Sequence, residues 1–214
     1  AIAAYTRIID MLYADAKHRA SALIGRAEAY EQIGEEGAAT KDFADVIDMA
    51  EAPIIQKQIA LVRRAIKSSE NGQRQEALKD TSRVIEIAKS SNEFVHLAYF
   101  IRASTHLEMN DESAAIADYT KVVQAPNVSN SLLAMILNGR GIVYERVGDL
   151  HSAIADYSTV VEMGDDAAGE AVEALVNRGE ALASLGDRKA ALADFTRAVE
   201  HDAASLDDQA QALI

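Results

Sequence analysis

The sequence predicts an all-α fold in which antiparallel helix hairpins stack into a solenoid. Three observations support this: a 38-residue internal repeat, apolar residues at helical spacing in each copy, and a composition with only two prolines. Hydrophobic residues make up 49% of the 214 residues but aromatic residues only 5%. Such a composition favours helices packed through small and aliphatic side chains.

The first helix of each hairpin is marked by an arginine that recurs every 38 residues without insertion or deletion: Arg26, Arg64, Arg102, Arg140 and Arg178. Each arginine is followed by alanine or glycine. A turn-forming residue stands eight positions after each arginine: Gly34, Gly72, Asn110, Gly148 and Gly186. Glycine and asparagine tolerate the left-handed conformation that ends many helices, so we expect the first helix to end at these residues.

The second helix of each hairpin carries an aspartate sixteen residues after the arginine: Asp42, Asp80, Asp118, Asp156 and Asp194. The next residue is aromatic in four copies of five, and an aliphatic pair follows at helical spacing. The second copy is degenerate, because Ser68 and Thr81 replace the usual aromatic residues.

Residues able to cap a helix share the phase at which each repeat begins. Asp15, Ser91, Ser129 and Ser205 can accept a backbone N–H bond, and the fixed φ of Pro53 suits a first helical turn. The predicted organisation is one solenoid: 1–14 as the second helix of a truncated repeat, full repeats at 15–52, 53–90, 91–128, 129–166 and 167–204, and the start of a further repeat at 205–214. We expect this chain to be a piece of a longer solenoid, whose open ends could self-associate.

Two copies carry residues that resemble the tetratricopeptide repeat. They are Asn138-Gly139-Arg140-Gly141 with Gly148-Asp149 and Tyr157, and Asn177-Arg178-Gly179 with Gly186-Asp187 and Phe195. The resemblance extends over essentially the whole chain, although the usual period of that family is about 34 residues. It implies a right-handed superhelix that binds proteins on its concave face and has no enzymatic activity.

The resemblance also implies which residues line the concave face. Three rows are expected: Ile24, Val62, Phe100, Asn138 and Val176; then Glu28, Ile66, Ser104, Ile142 and Glu180; then Glu31, Ser69, Leu107, Glu145 and Ala183. The middle repeats offer an apolar strip with Phe100 as its largest side chain, and acidic residues flank it. We expect a peptide or helix that is apolar with some basic character. The alternative is that the strip packs between repeats.

The repeated arginines and aspartates have two interpretations. A ladder of arginines could bind ligands, or each arginine could pair with the aspartate of its own hairpin in a bidentate ion pair. We favour the ion pair, because an aspartate accompanies the arginine in every copy.

Composition narrows the possible functions further. A net charge of −13 argues against nucleic acid and anionic membrane surfaces as partners. The histidines His18, His96, His106, His151 and His201 share no phase of the repeat, and the acidic pairs Asp165-Asp166 and Asp207-Asp208 lack calcium-loop spacing, so no metal or other cofactor is expected. No cysteine and no nucleophile motif supports catalysis. The sequence predicts an interaction scaffold or adaptor or, alternatively, the sensor domain of a larger regulatory protein; the compartment is open, with the cytoplasm favoured.

Overall fold

The computed structural model describes residues 1–11 and 13–211, with side chains described throughout that part except at 165, 166, 168 and 201–211. The described residues form eleven α-helices and no strand. The helices are α1 Ile2–Asp10, α2 Ala16–Gln32, α3 Glu36–Asp48, α4 Ile54–Glu70, α5 Arg74–Ile87, α6 Glu93–Glu108, α7 Glu112–Val123, α8 Asn130–Arg146, α9 Leu150–Glu162, α10 Ala168–Ser184 and α11 Arg188–Gln211. A short 3-10 turn, Gly164–Ala167, precedes α10.

The helices pack in chain order within two compact units, Ala1–Thr105 and His106–Ile214. In the first unit α2 pairs with α3 and α4 with α5, while α1 packs on α2 and α3 on α4. In the second unit α8 pairs with α9 and α10 with α11, while α7 packs on α8 and α9 on α10. The all-α fold of stacked helix hairpins is therefore confirmed.

The turn inside each hairpin depends on one residue in the left-handed conformation. The five predicted turn residues all have positive φ: Gly34 78°, Gly72 70°, Asn110 57°, Gly148 82° and Gly186 89°. A side chain with a Cβ is strained there, and asparagine is one of the few residues that tolerates it. The predicted ends of the first helices are therefore confirmed.

The predicted helix starts are partly confirmed. The side chains of Asp15 and Ser129 accept hydrogen bonds from the backbone N–H groups of His18 and Leu132, which caps α2 and α8. Ser91 is not the cap of α6, because Asn92 lies one residue closer to the helix and its Oδ1 accepts from the Val95 N–H at 3.1 Å.

The predicted start of a helix at Ser205 is wrong. Helix α11 continues without interruption from Arg188 to Gln211. No glycine or proline lies between those residues, whereas three of the other repeat junctions contain one, at Pro53, Pro126 and Gly164. Residues 212–214, which belong to the expected further repeat, lie outside the described residues, and the proposed division into repeats stays a prediction.

In two repeats an aromatic ring of the second helix lies close against a glycine of the first helix. A Cβ added to Gly141 would lie 2.5 Å from Cε1 of Tyr157, and one added to Gly179 would lie 2.6 Å from Cε1 of Phe195. Tyr157 is fully buried and cannot move away. The small residue after the arginine is therefore set by the close approach of the ring.

We expect Gly141→Ala to lower the free energy of unfolding by about 1–2 kcal/mol. Alanine is intrinsically the better helix former, but overpacking of a buried contact costs ~1–3 kcal/mol and outweighs that gain. Urea denaturation followed by circular dichroism measures the change. The matched control is Gly37→Ala in α3, where nothing lies within 4 Å of the added Cβ, and this variant should be neutral or stabilised. Equal effects of the two substitutions would contradict the packing argument.

Burial of one histidine predicts a pH dependence of stability. His96 is 3% exposed, its Nε2 lies 2.7 Å from the Ser91 hydroxyl, and burial lowers its pKa below the usual 6.5. The unfolded chain therefore takes up this proton first, so the stability contributed by neutral His96 is full above about pH 6.5 and is lost as the pH falls through the lowered folded pKa.

The measurement is a series of denaturant titrations between about pH 7.5 and 5. We expect the decline toward low pH to be shallower in His96→Gln than in the unmodified chain. The control, His151→Gln, changes a histidine that is exposed and should leave the slope unchanged. The same slope in all three proteins would show that another group is responsible.

Candidate protein-binding surface

A buried ion pair fixes the two helices of a hairpin against each other. In four repeats the arginine donates from Nε and Nη2 to the two carboxylate oxygens of its aspartate, each at 2.7 Å: Arg26–Asp42, Arg64–Asp80, Arg140–Asp156 and Arg178–Asp194. These aspartates are buried, and their hydrogen bonds raise the pKa of each arginine. The fifth predicted pair, Arg102 with Asp118, falls on different units and stays a prediction.

A third hydrogen bond ties most of these arginines to the preceding repeat. Nη1 donates at 3.0–3.1 Å to a hydroxyl twenty residues earlier in the chain: Thr6 for Arg26, Ser82 for Arg102, Thr120 for Arg140 and Ser158 for Arg178. The sequence prediction missed these hydroxyls, although they share one phase of the 38-residue repeat, where only Ala44 departs from them. With three donor nitrogens bound inside the fold, Arg26, Arg140 and Arg178 are occupied by structural contacts.

The first row of the expected concave face is mostly core. Ile24 is 8% exposed and Val62 and Asn138 are each 3% exposed. Ile24 and Val62 belong to one hydrophobic cluster of the first unit, and the Asn138 amide donates to the Glu170 carbonyl at 3.0 Å. The assignment of these three residues to partner contacts is wrong, because the neighbouring first helices pack over them.

Other predicted residues of the first unit line an apolar cleft between α4 and α6. The cleft has a volume of about 270 Å³. Ile66 and Ser69 lie on the α4 side and Phe100 and Ser104 on the α6 side, together with Glu70, Leu97 and Ile101. The prediction missed Leu97, although it lies one helical turn before Phe100, a spacing that places two residues on one helix face.

Acidic residues lie around the cleft and along the first helices of this unit. Glu70 lines the cleft and lies 3.1 Å from the Lys67 Nζ, and Glu28 accepts from Arg63 at 3.0 Å. Partial burial raises the pKa of Glu31 on α2. The cleft therefore combines apolar walls with one carboxylate, that of Glu70.

The remaining predicted residues belong to the second unit. Leu107 is half-buried, and Ile142 is 40% exposed. Burial and the neighbouring Glu145 carboxylate raise the pKa of Tyr157. His201 and the acidic pairs Asp165-Asp166 and Asp207-Asp208 lie outside the described side chains. Within the described part of the chain, no three histidine, aspartate or glutamate side chains are arranged to hold a metal ion.

Two segments of the chain match a known family of helical repeats. The model of the tetratricopeptide repeat family matches residues 96–127 and 172–204. The chain contains tetratricopeptide repeats. No curated protein sequence matches it. Of the described helices, none has both the length and the hydropathy that crossing a bilayer requires.

Solved structures share the fold of this tetratricopeptide-repeat chain at low sequence identity. BtubC from P. vanneervenii is 14% identical with a TM-score of 0.77, covering 95% of this chain and 90% of its own. MamA from Desulfovibrio magneticus RS-1 is 17% identical with a TM-score of 0.68, covering 86% and 96%. YrrB, described as a TPR protein with an unusual peptide-binding site, is 15% identical with a TM-score of 0.69, covering 94% and 93%.

The buried ion pair predicts a large effect of removing one partner. We expect Asp156→Ala to lower the free energy of unfolding by about 3–5 kcal/mol, because the Arg140 guanidinium then stays buried without its counter-charge. Denaturant titration measures the loss. The double variant Arg140→Met, Asp156→Leu should recover much of it, since two apolar side chains leave no unpaired charge.

An exposed ion pair provides the matched control. Lys79 and Glu76 are 3.6 Å apart with side chains 71% and 58% exposed, and Glu76→Ala should change stability by less than about 1 kcal/mol. A comparable loss in Asp156→Ala and Glu76→Ala would show that burial does not set the strength of the arginine–aspartate contact.

Proposed function

We propose that this protein is an interaction scaffold that binds a peptide or helix of a partner protein in the apolar cleft of its first unit. The observation that carries the proposal is the cleft itself, where Ile66, Leu97 and Phe100 form walls around about 270 Å³. Binding pockets are typically concave and apolar, with a few polar groups that orient the ligand. Ser69, Ser104 and Glu70 supply those polar groups here.

The tetratricopeptide repeats support a role in protein interaction, and YrrB, a fold neighbour, is described as having a peptide-binding site. The size of the cleft suits one or two apolar side chains of a helix or extended peptide. The carboxylate of Glu70 at the cleft, and those of Glu28 and Glu31 on the neighbouring helix α2, favour a basic residue in the ligand, since complementary charge steers association and orients the ligand. A ligand with apolar anchors and flanking lysine or arginine therefore fits best.

The test is selection of binding peptides from a random library on the immobilised protein, followed by calorimetry on the enriched sequences. We expect enrichment of peptides that combine large apolar residues with lysine or arginine. Phe100→Glu should weaken their binding by about 10–100-fold, because a carboxylate replaces the largest apolar contact of the cleft.

Phe100 also packs against the core of the first unit, so weaker binding in Phe100→Glu alone does not distinguish a lost contact from a lost fold. A second variant makes that distinction. Ser69→Arg adds a long cation to the cleft at a residue outside that core, and it should weaken binding by a similar factor. The control is Ile33→Glu, since Ile33 is 61% exposed at the hairpin turn and outside the cleft. Unchanged affinity in both Phe100→Glu and Ser69→Arg, with normal circular dichroism, would place the binding site elsewhere.

A further inference from the structure

The surroundings of Arg64, the arginine of the second repeat, differ from those of the other arginines at three positions. Ala44 stands where Thr6, Ser82, Thr120 and Ser158 supply a hydroxyl to the arginine of the next helix. Ser68 stands where Tyr30 and Tyr144 stand in the first and fourth repeats. Gln73 stands where Asp111, Asp149 and Asp187 stand in the last three repeats. These differences remove a hydrogen-bond acceptor, a ring and a negative charge from the same neighbourhood.

A polar pocket of about 300 Å³ lies at this place, between α3, α4 and the start of α5. Arg64, Lys67 and Ser68 line it from α4, with Asn71 and Gln73 from the hairpin turn and Lys79 from α5. In the fourth repeat the Tyr144 ring packs on the arginine, with Arg140 Cζ 5.7 Å from the ring centre. Ser68 leaves the corresponding space beside Arg64 open.

The Arg64 guanidinium is incompletely bound within the fold. Its Nε and Nη2 donate to Asp80 at 2.7 Å, but among the described residues no acceptor is found for Nη1. The Arg64 side chain is 23% exposed, more than Arg26, Arg140 or Arg178 at 17%, 13% and 15%. Arg64 also lines the pocket, so its guanidinium retains donor capacity beside that space.

The cations that line the pocket are Arg64, Lys67 and Lys79, and each is paired with at least one carboxylate. Arg64 pairs with the buried Asp80, and Lys79 lies 3.6 Å from Glu76, which also lines the pocket. Lys67 is held by Glu36 at 2.9 Å and Glu70 at 3.1 Å, but these carboxylates are 52% and 58% exposed. Exposed ion pairs contribute little to stability, so a carboxylate ligand can take the place of Glu36 and Glu70 on Lys67 at little cost.

We propose that this pocket binds a single carboxylate group, with Arg64 Nη1 and Lys67 Nζ as the charged donors and the amides of Asn71 and Gln73 as neutral ones. Charge-assisted hydrogen bonds from a guanidinium to a carboxylate are among the stronger polar contacts in proteins. The pocket is polar and lies on α3, α4 and α5, so it is separate from the apolar cleft between α4 and α6 and does not depend on the function proposed for that cleft.

The test is titration of the ¹⁵N-labelled protein with sodium succinate at constant ionic strength, followed by nuclear magnetic resonance. We expect saturable shifts of the Arg64 Nε–H and of backbone amides between residues 64 and 79, with a dissociation constant on the order of 1 mM for so small a ligand. Sodium chloride at the same ionic strength should not reproduce them. The same shifts with chloride, or none with succinate, would refute the proposal.

Two variants restore the pattern of the other repeats and should abolish the site without harming the fold. Ala44→Thr supplies the missing hydroxyl to Arg64 Nη1, and Ser68→Tyr fills the pocket with a ring. Each should weaken succinate binding at least about tenfold, and Ala44→Thr should also raise the melting temperature. Ala155→Thr adds a hydroxyl at an exposed helical alanine and serves as control. Retained binding in both restoring variants would overturn the proposal.

The source of the carboxylate is resolved by three short glycine peptides: one with a free C-terminus, one amidated, and one amidated with a central glutamate. Binding of only the first assigns the pocket to a chain terminus, and binding of the third assigns it to an acidic side chain. If succinate binds and all three peptides fail, the ligand is a free small carboxylate. Binding of the plain amidated peptide alone would contradict recognition of a carboxylate.

Discussion

The buried contact between arginine and aspartate is the constraint on which each hairpin depends. A carboxylate that is almost fully removed from water is stable only when its oxygens are bound, and here both are bound by one guanidinium sixteen residues earlier. That requirement fixes how the second helix lies along the first. It also explains why the spacing tolerates no insertion inside a hairpin, since one extra residue would rotate the aspartate by about 100° around its helix.

Features that every repeat needs could be read from the sequence. The arginine, the aspartate and the left-handed turn residue recur because each has the same structural role in every hairpin. Periodicity alone therefore identifies them. Residues whose role depends on how neighbouring helices rotate could not be read in this way. Ile24, Val62 and Asn138 share a phase with Phe100, yet they are buried whereas Phe100 lines a cleft. The extent of helix α11 was also missed, because Ser205 has the chemistry of a cap but nothing before it interrupts the helix.

The candidate binding features arise where the repeat departs from its own pattern. The apolar cleft is formed in part by Phe100 and Leu97, and the polar pocket is formed where Ser68 replaces a tyrosine. Regular repeats fill their own interior, so an open surface requires a local exception. The hydroxyl groups that bind Nη1 belong to the regular pattern: threonine or serine stands at one phase in all but one repeat, and their shared role was visible only from the contacts.

The arginine of a given repeat donates a hydrogen bond to a hydroxyl of the repeat before it, so this bond links the two repeats. Where the bond is present or absent affects where the array would first separate. In a linear array, stability is approximately the sum of the repeats and of the junctions between neighbours. The junctions of α1 with α2, α5 with α6, α7 with α8 and α9 with α10 each include the arginine–hydroxyl hydrogen bond, whereas the junction of α3 with α4 has Ala44 and lacks it. The stack would therefore separate most readily at the junction of α3 with α4. Partial unfolding would then release whole hairpins on either side of this junction.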